Sequence, residues 1–136
     1  MRSAIFKSAK SMYSSLPVLI GIILLIGLIS TIVPKSSYAM LFSKNIVLDS
    51  IIGSGIGSVL AGNPITSYVL GGELLKQGVS LVAVTSFIVA WVTVGLVQLP
   101  AESILLGKKF AISRNFVSFI FSIIVAIITV LILGLL

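Results

Sequence analysis

The architecture of this chain depends on a hydrophobic segment that breaks in its middle, residues 46–76, IVLDSIIGSGIGSVLAGNPITSYVLGGELLK. Gly62 suits the C-terminal cap of a helix and Asn63 is a favoured N-cap residue. Pro64 fits the first helical turn, where its missing N–H is not needed. We therefore predict two helices separated by a break at these three residues. One continuous helix, kinked at Pro64, is the alternative.

Three further stretches are apolar and about 20 residues long, as a bilayer-crossing helix requires. They are residues 16–33, 79–99 and 116–136. The preceding residues 1–15 combine basic side chains with an apolar helical face, which predicts a short interfacial amphipathic helix. A signal peptide is the alternative. The apolar run of 18 residues, however, is longer than the apolar region of a signal peptide, which usually has about 7 to 15 residues. We predict a single all-α, multi-pass membrane domain over residues 1–136.

The composition excludes several classes of protein. Of the 136 residues, 58% are hydrophobic and 9% are charged, whereas a soluble domain has about 25% charged residues. There is no His, no Cys and only three acidic residues, so His or Cys metal sites, thiol chemistry and a Ser-His-Asp triad are ruled out. We expect no enzyme activity, no cofactor and no nucleic-acid partner. The net charge of +6 instead predicts contact with the anionic surface of a lipid bilayer. We expect the chain to lie in a prokaryotic cell membrane.

Basic residues indicate how segment 46–76 sits in a bilayer, since cytoplasmic loops are enriched in Lys and Arg. If the segment returns to the side it left, as a re-entrant hairpin or as two short spans, six basic residues lie inside and three outside. If it crosses once, four lie inside and five outside. We therefore predict the hairpin. Its inner basic residues are Arg2, Lys7, Lys10, Lys108, Lys109 and Arg114. Its outer basic residues are Lys35, Lys44 and Lys76.

The helix before the break carries a face that is almost without side chains. Small residues recur there at spacings of three and four: Ser50, Gly53, Ser54, Gly57, Ser58 and Ala61. Such faces let membrane helices approach closely, so we predict helix packing. Lining a substrate path is the alternative, and both roles can hold together.

The break itself is the candidate substrate site. The free N–H groups of Ile65, Thr66 and Ser67 would face it with a partial positive charge, assisted by the Asn63 amide and the Thr66 hydroxyl. That geometry suits an anion or another polar group. The candidate substrate-binding residues are Gly62, Asn63, Pro64, Thr66 and Ser67. A purely structural kink is the alternative.

Acidic residues are few, and each has two interpretations. Glu102 lies at the end of a predicted span and precedes the basic residues 108–114. It forms either a salt bridge that holds the inner loop or a coupling or gating carboxylate. Glu73 lies three residues before Lys76, which favours a pair on the helix surface. Asp49 is close to the predicted interface, where solvation explains it.

The order of these features resembles a known family. The matching segments are 61–68 (AGNPITSY), 71–80 (GGELLKQGVS), 90–91 (AW), 99–102 (LPAE) and 106–111 (LGKKFA), followed by Arg114. They resemble the predicted permease family that includes the organoarsenical efflux permeases, over roughly residues 57–136. The resemblance implies a multi-pass transporter with a helix-break-helix element. Members are commonly built of two related halves, and this chain resembles one half.

The resulting functional hypothesis is a small permease subunit that moves a small polar or anionic solute by alternating access. Three spans cannot enclose a pathway alone, so we expect an oligomer. An odd net number of crossings would invert a second fused copy, an arrangement known in transporters, and this favours an antiparallel homodimer over a parallel one. A non-transporting scaffold or assembly subunit is the alternative function, and a channel is a third.

Cysteine labelling in intact cells tests the topology, because the chain has no native Cys. In the predominant orientation, we expect single-Cys variants at Ser37 and Gln77 to react from the same, outer side, and variants at the N-terminus and at Lys108 to be protected. Labelling of Ser37 and Gln77 from opposite sides would contradict the hairpin. Termini accessible from one side only would rule out the antiparallel dimer.

Overall fold

The computed structural model describes residues 45–60 and 63–135 continuously, together with Phe42 and scattered positions between residues 6 and 32. All described positions between 6 and 32 are helical, as predicted for the N-terminal helix and the first span. The bounds of those two elements lie outside the described residues. Residues 1–34 and 35–136 form two compact units, and the elements below belong to the second.

Five helices have their bounds within residues 45–60 and 63–135, and that part of the chain has no strand. They are α1 (Ile46–Val59), α2 (Pro64–Lys76), α3 (Leu81–Thr93), α4 (Leu99–Leu106) and α5 (Lys108–Leu133). The prediction of an all-α chain is therefore confirmed over the described residues.

The break in segment 46–76 is present, and the continuous kinked helix is excluded. Leu60 and Asn63 both have extended backbone, with ψ of 135°. The Asn63 side chain accepts the Ile65 N–H at 3.0 Å, and Pro64 opens α2, as the N-cap and first-turn preferences predict. Ala61 and Gly62 lie outside the described residues.

Helix α1 runs parallel to α3. Near the start of α1, Asp49 accepts a hydrogen bond from Ser80, the residue before α3. Two turns later, Gly57 lies against the backbone of Phe87. Contacts thus advance along both helices in the same direction.

Helix α2 runs antiparallel to α3, so the chain reverses at the break. Pro64, at the start of α2, shares a pocket with Trp91 near the end of α3. Leu74, near the end of α2, packs against the cluster formed by Val79, just before α3, and by Ala83 and Val84 in its first turn. Helices α1 and α2 therefore form a hairpin whose tip lies beside the C-terminal end of α3.

The small-residue face of α1 packs directly on the α3 backbone, as predicted. A Cβ atom at Gly53 would collide with the Ala83 carbonyl, and one at Gly57 would collide with the Phe87 carbonyl. Only glycine allows the two backbones to come this close. On α2, Gly71 also lies at a helix contact, since a Cβ there would lie 2.8 Å from a side-chain carbon of Ile88 on α3.

Helix α3 is shorter than the predicted span over residues 79–99. It ends at Thr93, and Val94 has extended backbone, with ψ of 119°. The Gly95 N–H donates to Oδ1 of Asn115 on α5 at 2.7 Å, which replaces the bond that a continuing helix would form. With 13 residues, α3 is about 20 Å long, less than the bilayer core of about 30 Å.

Helix α5 begins at Lys108, earlier than the predicted span over residues 116–136, and ends at Leu133. Gly107, with φ of 89°, adopts the left-handed backbone that lets α5 follow α4 directly. Among the described helices, α5 alone is long and apolar enough to cross a membrane. Only 11% of its most apolar 18-residue stretch is buried within the chain. It contacts α1 through a hydrogen bond of 2.8 Å between the Ser54 and Ser122 hydroxyls.

Two glycine substitutions on α1 test the backbone contact with α3. Gly57→Ala should lower the free energy of unfolding by about 1–3 kcal/mol, because the added methyl overpacks a rigid backbone site. Gly55→Ala is the matched control, since a Cβ there meets nothing within 4 Å. It should leave stability unchanged or raise it by up to about 1 kcal/mol through helix propensity. Denaturant unfolding in one detergent compares them, and equal stabilities would contradict the contact.

Candidate functional site

A pocket of about 90 Å³ lies beside the tip of the hairpin. Water occupies about 30 Å³ per molecule in the liquid, so the pocket has room for a small solute or a few waters. It lies where the break, the end of α3 and the second turn of α5 meet. The described residues that line it are Leu60, Pro64, Trp91, Val92, Val94, Gly95, Gln98 and Arg114.

Arg114 supplies a positive charge at this pocket. Its Nη1 donates to Glu102 Oε1 in an ion pair, and its Nη2 donates to the Thr93 carbonyl at 3.3 Å. A guanidinium carries five N–H donors, so these two bonds fix its position and leave donors over. Arg114 is therefore a held cation with remaining hydrogen-bonding capacity.

Asn115 holds this arrangement together from the next position of α5. It is 4% exposed, and its Oδ1 accepts the Gly95 N–H. Its Nδ2 donates to Glu102 Oε2 at 3.2 Å and to the Ala111 carbonyl at 2.9 Å. One amide therefore ties the end of α3 to the carboxylate that positions Arg114.

Glu102 forms the salt bridge that one of its two sequence interpretations predicts. Its partner is Arg114, and the bridge joins α4 to α5. Both carboxylate oxygens have donors, one from Arg114 and one from Asn115. A coupling or gating role for Glu102 stays a prediction.

Trp91 contributes a buried hydrogen-bond donor that has no partner. The residue lines the pocket and is 9% exposed, with its ring packed edge-on against Phe87 at a centroid distance of 5.4 Å. Its indole Nε1 is buried without an acceptor. A buried unpaired donor costs about 1–3 kcal/mol, so an acceptor brought to this N–H would be stabilising.

The predicted donors of the break are mostly engaged within the chain. The Ile65 N–H donates to the Asn63 side chain at 3.0 Å, and the Thr66 N–H donates to the Asn63 carbonyl at 2.9 Å. The expectation of three free amides is therefore wrong for two of them, because Asn63 uses its own oxygens as the helix cap. In the single chain, Asn63 is exposed.

The other predicted substrate-binding residues divide between the pocket and the helix interior. Pro64 lines the pocket. Thr66 is 7% exposed and Ser67 is fully buried, and the Ser67 hydroxyl donates to the Pro64 carbonyl at 2.7 Å. Gly62 lies outside the described residues. Their roles in binding stay predictions.

Two other acidic residues differ in outcome. Glu73 and Lys76 form the predicted surface pair, with Nζ and Oε2 3.2 Å apart. Asp49, expected to be solvated near the interface, is fully buried. Its hydroxyl partner is Ser80, 31 positions further along the chain, a distance at which sequence spacing gives no signal.

The pocket favours an acceptor as its ligand. The polar or partly polar residues among its described lining are Arg114, Trp91 and Gln98, and no acidic residue is among them. Hydrogen bonds from a guanidinium to an anion are stronger than those between neutral groups. From the sequence alone, Arg114 is a basic residue that indicates membrane topology and a candidate salt-bridge partner of Glu102. Trp91 belongs to the matching segment 90–91 of the resemblance but is not among the predicted site residues.

Comparison with protein-family models, with curated proteins and with solved structures finds no match. The resemblance to the permease family stays a prediction.

Substitution of Asn115 tests the network that positions Arg114. Asn115→Leu removes three hydrogen bonds and leaves the Gly95 N–H without a partner, so the free energy of unfolding should fall by about 2–4 kcal/mol. Ser113→Ala is the control, because its side chain lies exposed on the same helix. Chemical unfolding in detergent measures both, and an unchanged Asn115→Leu would contradict the network.

Proposed function

We propose that this chain is the subunit of a small multi-pass permease in a cell membrane. It moves a small anionic solute, or a polar one rich in acceptors, by alternating access. The donor-lined pocket beside the hairpin tip is the observation that carries the proposal. Arg114, which is fixed by its ion pair with Glu102, lines this pocket together with Trp91 beside a helix break. Transporters commonly bind their solutes at such breaks.

The basic residues that neighbouring helices place at the two ends of α3 support the proposed topology. Lys108, Lys109 and Arg114 belong to the first two turns of α5, and Arg114 contacts the C-terminal end of α3. Lys76 ends α2 beside the N-terminal end of α3. The two basic groups assigned to opposite sides of the membrane therefore lie at opposite ends of one helix.

The uncovered surface of α5 supports a lipid-facing or assembled state. Large apolar side chains along it are half exposed or more, among them Ile112, Phe116, Phe121 and Leu131. In water such a surface would be strongly unfavourable. We propose that lipid covers part of it and that a second copy, arranged antiparallel, completes the pathway around the pocket.

Intrinsic fluorescence tests solute binding, because Trp91 is the only tryptophan of the chain and lines the pocket. We expect saturable changes in emission when the purified protein is titrated with small oxyanions such as phosphate, sulfate or arsenate. Neutral sugars and inorganic cations should give none. The double variant Glu102→Gln/Arg114→Gln keeps amides that can hydrogen-bond but removes the charge. It should bind about 10- to 100-fold more weakly, the value of a charge-assisted hydrogen bond.

The control for charge in general is Lys109→Gln, because Lys109 is exposed on the same helix and does not line the pocket. It should bind as the unaltered protein does. An equal response from the double variant, or no response to any anion, would contradict an anion site here.

Flux into proteoliposomes separates the transporter from its alternatives. Uptake should saturate with solute concentration and should fall in the double variant. Uptake that rises linearly without saturation would indicate a channel. No uptake of any solute across a broad panel would indicate a scaffold or an assembly subunit.

A further inference from the structure

A second cavity, an apolar groove of about 400 Å³, lies beside the first half of α5. Of the described residues that line it, only Val94 also lines the pocket at the hairpin tip. Its two polar lining residues bond within the chain: Ser58 donates to the Gly55 carbonyl at 2.8 Å, and Asn115 forms the bonds described above. The groove therefore suits a hydrocarbon chain. Its apolar lining residues are Val94, Leu96, Leu99, Ile112, Phe116 and Phe119.

Two lysines extend the lining of this groove toward the start of α5. Lys108 lies four residues before Ile112, and Lys109 lies seven residues before Phe116, spacings that place each pair on one helix face. Both lysines are exposed, and neither has an ion pair among the described residues. They also occupy the electropositive first turn of α5, which has no acidic residue and no side-chain cap. Positive charge is thus unneutralised at one end of the groove.

The turn that precedes these lysines is apolar and uncovered. Ile104 and Leu105, at the end of α4, are 84% and 81% exposed. Lys108 follows Ile104 by only four residues. Large apolar side chains directly beside basic ones are typical of the boundary between a bilayer and water. This corner of the chain therefore needs an apolar cover and an anion at the same place.

No acidic side chain of the chain itself is free to supply that anion. The chain has three acidic residues. Asp49 is fully buried, and Glu73 and Glu102 are both held in ion pairs. A second copy would therefore bring nine basic residues and no unpaired acidic side chain to the groove. Residues 1–45 contain no acidic residue either. The complementary charge must come from another molecule.

We propose that the groove and the basic pair bind one anionic phospholipid, with its phosphate at Lys108 and Lys109 and an acyl chain along Ile112, Phe116 and Phe119. From Lys108 to Phe119 the rise along α5 is about 16 Å. Half the thickness of a bilayer core is about 15 Å, so the site matches one leaflet in length. Basic sites at helix ends on the cytoplasmic side bind such headgroups. The proposal goes beyond solute transport and does not depend on it.

Native mass spectrometry in detergent tests the headgroup preference. Phosphatidylglycerol and phosphatidylcholine with the same acyl chains are the probes. We expect one phosphatidylglycerol bound per chain, about 10- to 30-fold more tightly than phosphatidylcholine, as two lysines at a membrane surface provide. The double variant Lys108→Gln/Lys109→Gln should lose this preference.

The matched control is Lys7→Gln/Lys10→Gln. It removes the same charge from exposed lysines that belong to the other compact unit, and it should keep the preference. An equal loss in both double variants would overturn the site, because net charge alone would then explain the binding. No preference in the unaltered protein would overturn it as well.

Tryptophan quenching in vesicles tests the groove. Phe116→Trp places a reporter in the groove, and Val117→Trp places one at the same depth on α5 but outside the lining. The unaltered protein supplies the Trp91 background. Phosphatidylglycerol with brominated acyl chains, as a small share of the lipid, should quench Phe116→Trp more strongly than brominated phosphatidylcholine does. Val117→Trp should be quenched equally by both.

Two results of this experiment would overturn the proposal. Equal quenching of Phe116→Trp by the two lipids would show that the groove does not select an anionic lipid. Quenching of Val117→Trp alone, by either lipid, would show that protein fills the groove, either a second copy or residues 1–34.

Discussion

The contact between the backbones of α1 and α3 is the constraint on which the other features depend. At Gly53 and Gly57 no side chain separates the two helices. This contact brings Asp49 beside Ser80 at one end and the break beside Trp91 at the other. A larger residue at either glycine would separate both pairs. The buried hydrogen bond between Asp49 and Ser80 and the candidate solute site thus lie at the two ends of one close packing surface.

The sequence predicted features that local chemistry determines. The small-residue face of α1 and the cap formed by Asn63 and Pro64 both follow from residue type and spacing, and both are present in the structure. The early end of α3 was not predictable, because it depends on a hydrogen bond between Gly95 and a side chain 20 positions later. A run of apolar residues gives no sign of such a partner.

The candidate site was only partly predictable, for the same physical reason. Pro64 lines the pocket, but the donors expected at the break are mostly engaged by the Asn63 cap. The charge that reaches the pocket comes instead from Arg114, on a helix far along the chain. A basic residue near a span end is first explained by membrane topology. Only its position against Glu102 and Thr93 shows that Arg114 also lines the pocket.

The packing of the hairpin also limits how the chain can change shape. Helix α1 contacts α3 through rigid backbone, whereas α2 contacts it through the side chains of Val84 and Ile88, which can change rotamer. Packed interfaces tend to switch between discrete arrangements. Helices α1 and α3 should therefore move together as one rigid body, and α2 is the helix that can move relative to them. Rotamer changes of Val84 and Ile88 would let α2 shift against α3 while the helix of Asp49 and the start of α3 beside Ser80 stay together.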